Sequence, residues 1–125
     1  MEKYQDIKSK SWGFKSRQTG GVVIEPRFNG VHDFYEGFAR IRVDGKEGYI
    51  KPDGRFLIGA IFDKTRNFET GLAAISFERR CGFLRTNSTY LFEPRFDLIA
   101  EFDSDGVAFV KIGEENGAIN KAGGY

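Results

Sequence analysis

Histidine and cysteine each occur once, as His32 and Cys81, in a chain of 125 residues. One cysteine excludes an intramolecular disulfide and a thiolate-rich metal site. One histidine leaves a His-based metal centre or a Ser-His-Asp arrangement little to build on. Charge of either sign is not in excess: 19 basic and 18 acidic residues leave a formal net charge of +1. Such a balance provides no global field to draw nucleic acid or an anionic membrane. No apolar run approaches the length of a membrane span, and Met1–Ser11 is polar, without the apolar stretch of a signal peptide. These absences predict a cytoplasmic protein, unless the chain is a fragment of an exported one, with neither membrane nor nucleic acid as partner and no cofactor. Helical periodicity is missing as well.

Glycine and phenylalanine are abundant, at 16 and 13 residues. Aromatics favour strands and glycine supplies turn dihedrals, so the pair suggests short strands joined by tight turns. Their positions are periodic. Gly13, Gly48, Gly82 and Gly117 are spaced by 35, 34 and 35, and Phe28, Phe62 and Phe96 by 34 and 34. Phe34, Phe68 and Phe102 keep the same interval, as nearly do Gly37, Gly71 and Gly106, and Ala39, Ala73 and Ala108. Glu25-Pro26-Arg27-Phe28 returns two periods later as Glu93-Pro94-Arg95-Phe96. Residues 1–125 therefore read as one repeat domain with copies at 12–46, 47–80 and 81–115 and a partial copy at 116–125.

Each copy is predicted to hold three strands. The first follows the repeated glycine, as in Gly48-Tyr49-Ile50. After a turn, clearest at Pro52-Asp53-Gly54, comes the second, as in Val22-Val23-Ile24, with Pro26 and Pro94 expected just past its end. The third alternates cleanly: Ala39, Ile41 and Val43 on one face, Phe38, Arg40 and Arg42 on the other. Short links such as Asp44-Gly45-Lys46 fold it back on the next copy as a hairpin. The fold class is all-β: three-stranded antiparallel units of about 34 residues, stacked as a short solenoid or repeat barrel because no unit of that size buries a core alone.

The run Trp12-Gly13-Phe14, Val23-Ile24-Glu25-Pro26-Arg27-Phe28, Phe34-Tyr35-Glu36-Gly37-Phe38-Ala39 and Gly45-Lys46-Glu47-Gly48-Tyr49-Ile50 resembles the WG repeat family, widespread in bacterial proteins. The resemblance extends from Trp12 nearly to the C-terminus. It departs from the pattern where Glu47, Cys81 and Asn116 replace the tryptophan, where Lys15 stands in an apolar column, and where Ala60 replaces the proline. It implies an interaction module and brings no catalytic residues.

The residues themselves offer no chemistry that outweighs this. Glu25 and Glu93 are equivalent positions two copies apart, so repetition explains them without a paired-carboxylate site. Arg27 and Arg95 beside Phe28 and Phe96 resemble a single-strand nucleic-acid surface, but the neighbouring glutamates are expected to pair with them. Cys81 occupies a repeat column and reads as a structural thiol. The expectation is a non-enzymatic module that binds another protein, or itself through an uncovered strand edge after the partial fourth copy. The outward third-strand residues Arg40, Arg42, Phe109 and Lys111 are the predicted partner-binding set. The alternative is a carbohydrate or peptidoglycan ligand stacked on Trp12, Tyr35 and Tyr49.

Overall fold

A computed structural model describes Met1–Tyr125 as fourteen strands in four antiparallel sheets, with no helix. The first sheet joins β1 (Glu2–Gln5), β2 (Trp12–Lys15) and β3 (Val22–Phe28). The second orders β4 (Gly30–Val31), β5 (Ala39–Val43), β6 (Lys46–Ile50) and β7 (Phe56–Phe62). The third repeats this with β8 (Lys64–Thr65), β9 (Leu72–Phe77), β10 (Arg80–Arg85) and β11 (Tyr90–Phe96). The fourth holds β12 (Leu98–Ile99), β13 (Val107–Ile112) and β14 (Glu115–Asn120). No sheet closes on itself, so the arrangement is a stack and not a barrel.

The second, third and fourth sheets each straddle two sequence copies. A long strand such as β3 ends one sheet at Phe28, and the chain turns at Asn29 into the short β4 of the next. The two-residue strands β4, β8 and β12 lie in what the sequence presents as a loop between the phenylalanine columns. Pro26 and Pro94 also differ from expectation: they sit inside β3 and β11, not beyond them. The register explains how. Trp12 pairs with Phe28 and Phe14 with Ile24, so Gly13 alone faces the bulged Glu25-Pro26-Arg27 stretch, where proline costs no ladder bond.

That bulge dictates the glycine column. A Cβ on Gly13 would lie 2.4 Å from the Ile24 carbonyl oxygen, on Gly48 2.6 Å from the Gly59 oxygen, and on Gly82 2.4 Å from the Phe92 oxygen. All three contacts are with backbone, which has little freedom to yield. Only glycine lets the bulged strand cross this closely.

Three apolar cores lie between successive sheets. Phe14, Ile24 and Phe28 meet Ala39, Ile41 and Ile50 in the first. Tyr49, Phe62 and Phe68 meet Ala73, Ile75 and Leu84 in the second. Phe83, Phe92 and Phe96 meet Ala108, Val110 and Ile119 in the third. Adjacent residues of β6 thus serve different cores, Ile50 backward and Tyr49 forward, and both are fully buried. Burying such a side chain contributes about 1.5–3 kcal/mol.

The ends of the stack follow from the same geometry. The column that faces backward holds Ile50, Leu84 and Ile119 in the second, third and fourth sheets, and Lys15 in the first. Lys15 instead pairs with Glu2 at 3.6 Å. The forward column holds Phe14, Tyr49 and Phe83, then an exposed Ala118 on the last sheet. Residues before Trp12, outside the repeat pattern, form β1 and supply the partner that β5 gives β6: Tyr4 opposes Gly13 as Ile41 opposes Gly48.

Two-residue turns close the hairpin between β5 and β6 and its counterparts in the next two sheets. Glu36-Gly37 and Asp44-Gly45 take positive φ at both positions, as this turn requires. The residue after each repeated phenylalanine clamps the following hairpin. Asn29 Oδ1 accepts from the Asp44 N–H at 2.7 Å, Asp63 Oδ2 from Glu78 at 2.8 Å, and Asp97 Oδ2 from Gly113 at 2.5 Å.

Candidate functional site

The third-strand face carrying Arg40, Arg42, Phe109 and Lys111 is not uniformly outward, because in a stack the side of a sheet opposite one core faces the next sheet. Ala74 packs partly buried against the third core, and Phe38 against the second, with its ring 4.8 Å from that of Phe68. Arg40 is half-buried: its Nη1 donates to the Thr65 carbonyl at 2.9 Å, tying β5 to β8. Arg40 therefore corrects the expectation of a free surface arginine. Arg42 is exposed, Lys111 is half-buried, and Phe109 is 69% exposed. On the fourth sheet the predicted face is exposed. There Phe109 pairs with the exposed Ala118, and Leu98, opposite Lys111, is 62% exposed.

Strand β14 also lacks a partner on its outer edge, whereas β2, β6 and β10 are each flanked on both sides. The Tyr125 ring partly covers this edge. It would touch a Cβ on Gly117 at 3.2 Å, stacks on Phe96 at 5.9 Å, and lies 5.7 Å from the Arg95 guanidinium.

Two clefts open on the stack. One, of about 300 Å³, is lined by Trp12, His32, Arg40, Arg42 and Glu47 around β4. It brings Trp12 to Arg40 and Arg42, from which the sequence separates it. Desolvation first, then Arg40, holds the His32 imidazole below its usual range, and Lys3 and Arg42 add to this against the opposing Glu47. The other, of about 470 Å³, has mixed charge, with Arg40, Arg66, Glu69, Asp103 and Lys121 around Phe83 and Phe102. Sequence reasoning missed both, because their walls come from positions far apart in the chain and no column of the repeat marks them.

Of the three aromatics expected to stack on a sugar, Tyr49 is fully buried. Its hydroxyl donates to the Arg66 carbonyl at 2.5 Å, and burial pushes its pKa up. Tyr49 belongs to the second core and is no platform. Trp12 is half-buried and Tyr35 is 47% exposed.

The pairing expected between Glu25 and Arg27, and between Glu93 and Arg95, does not form. The Arg27 guanidinium lies 5.0 Å over Phe28 and donates to the Gly54 carbonyl, and Arg95 lies 5.2 Å over both Phe92 and Phe96. Aromatic faces take the place of the carboxylates, which stay exposed in the bulges. Desolvation, then Asp97, pushes the Cys81 thiol up, favouring the neutral form over a nucleophilic thiolate. No three His, Cys, Asp or Glu side chains gather as metal ligands would.

The family described as WG containing repeat matches the chain three times, at residues 12–46, 48–78 and 82–115. No curated protein and no solved structure matches it.

Proposed function

This chain belongs to the WG containing repeat family, and from that premise we propose that it is a non-enzymatic module that binds another protein through the open face of its fourth sheet. The observation that carries the reading is Phe109. At its register position Arg40 and Ala74 lie against the next sheet, whereas Phe109 is 69% exposed. With Leu98 and Ala118 it makes an apolar centre, and Lys111 gives it a basic flank. An aromatic anchor with a charged rim is the composition of an interface hot spot. The occupant this face suits is a sheet of a partner protein with a small-residue face and an acid for Lys111, packed as the chain's own sheets pack. The neutral Cys81 thiol, a single histidine and glutamates held apart by the repeat support a non-catalytic role.

The test starts with affinity capture and identification of what co-purifies, followed by binding of the purified partner to the parent chain and to Phe109→Asp/Lys111→Glu. The double variant should stay folded and lose about thirtyfold in affinity, the equivalent of about 2 kcal/mol. Equal affinity of parent and variant refutes this face as the binding surface. Self-association of the parent that the same variant abolishes would replace the partner protein with a second copy.

A further inference from the structure

The cleft of about 300 Å³ between the first two sheets has features that neither the fold nor the end-face reading requires. Of the five ion pairs in the chain, none includes Arg40 or Arg42. Arg42 lies against β4, where a Cβ on Gly30 would come within 3.3 Å of its Nη2, so the glycine there leaves the guanidinium its place. Arg40 spends one N–H on the Thr65 carbonyl, and its Nε is the one buried side-chain polar atom in the chain without a partner. That Nε is itself buried and costs stability as it stands, while Arg40 as a whole borders both this cleft and the larger one.

The other charges nearby set the kind of acceptor. Lys3 leans toward Asp33 at 3.9 Å, while His32 is largely neutral near pH 7 because its pKa is lowered. Glu47 Oε1 already accepts from the Thr65 N–H at 2.9 Å and hydroxyl at 2.7 Å, so its charge is engaged with β8 but still borders the cleft. A carboxylate in this cleft meets Arg40 and Arg42, with the Glu47 carboxylate opposite Arg42 across β5 and β6. Guanidinium forks match the planar carboxylate in both distance and angle. Trp12 offers an apolar wall on the same cleft for a short aliphatic stem, a feature of this junction alone, since Glu47, Cys81 and Asn116 fill its column later.

We propose that the cleft bounded by Trp12, Arg40 and Arg42 is a binding site for a carboxylate, presented as an Asp or Glu side chain of an extended peptide. The site lies away from Phe109 and its fate is independent of the end face.

Trp12 is the only tryptophan, so its indole N–H gives a single, unambiguous NMR signal. Titrating the intact chain with a blocked tri-glutamate peptide should shift that signal and the Arg42 Nε–H saturably. The matching tri-glutamine peptide should leave both unmoved, and inorganic phosphate should bind more weakly. Arg42→Gln, with an otherwise unchanged spectrum, should weaken the peptide at least about tenfold, whereas Phe109→Asp should bind it as the parent does. The proposal fails if tri-glutamate gives no saturable shift, if Arg42→Gln binds it equally well, or if phosphate saturates at a lower concentration than the peptide.

Discussion

Asp63 illustrates how a single side chain links two copies. It sits after the repeated Phe62, accepts the Glu78 N–H of the hairpin ahead, and pairs with Lys46 of the strand behind. The Lys46 hydrogen bond first, then the Glu78 N–H, holds its carboxyl below the ordinary 3.8. A carboxyl whose pKa is lower folded than unfolded adds stability above its unfolded value, and that stability is lost as the pH falls through the folded one. Asp63→Asn keeps an oxygen for the Glu78 N–H but removes the charge, as Asn29 already does at the first junction with the Asp44 N–H. In urea titrations across pH, the variant should be less stable than the parent at pH 7. The gap should close progressively below about pH 4. A gap that is constant from pH 7 to pH 2 would mean that the charge contributes nothing and the residue acts only as a hydrogen-bond acceptor.

At the scale of the strand, the glycine columns separate two situations that look identical in sequence. Gly48 faces the bulged backbone of β7, where a Cβ would lie within 2.8 Å of three backbone atoms. Gly117 faces only the ring of Tyr125, at 3.2 Å or more. Gly48→Ala must displace a strand between two cores, and about 3 kcal/mol or more of stability should go, at or above the upper range for overpacking. Gly117→Ala needs only a shift of a terminal side chain and should cost under about 1 kcal/mol. Chemical denaturation of the two variants checks this, and equal losses would contradict the bulge as the cause of the column. The strands themselves were legible: Ala39, Ile41 and Val43 alternate as a half-buried strand does, and the repeat places the same strand twice more. What the alternation leaves open is the opposite face. Arg40, Ala74 and Phe109 are polar, small and aromatic, so their column gives no sign that the first two lie under a following sheet. The cleft was illegible for a related reason: Trp12, His32 and Arg42 come together only because β4 carries the chain from one sheet to the next. Strand β1 escaped notice because its Glu2 and Tyr4 border no core.

For the whole molecule, the stack makes stability a property of neighbours. Each core is built from two adjacent sheets only, and no core residue bridges the first sheet to the third. In such a chain, stability is approximately a sum of unit and interface contributions, and opening starts where a sheet has one interface in place of two. The second and third sheets have cores on both faces. The first has polar Lys15 and Glu2 on its outer side, and the fourth has exposed Phe109 and Ala118. Amide hydrogen exchange should therefore be slowest in β6 and β10, whose residues Tyr49, Ile50, Phe83 and Leu84 feed the cores on either side. It should be fastest in β1 and β14, which are edge strands of the end sheets. Phe62→Ala in the middle core removes a fully buried ring, at a cost of about 3–5 kcal/mol. That loss should raise exchange in the second and third sheets together, whereas Phe28→Ala should raise it mainly in the first two. If Phe28→Ala accelerates exchange in the fourth sheet as much as in the first, the chain opens as a single cooperative block, and the nearest-neighbour description of the stack is wrong.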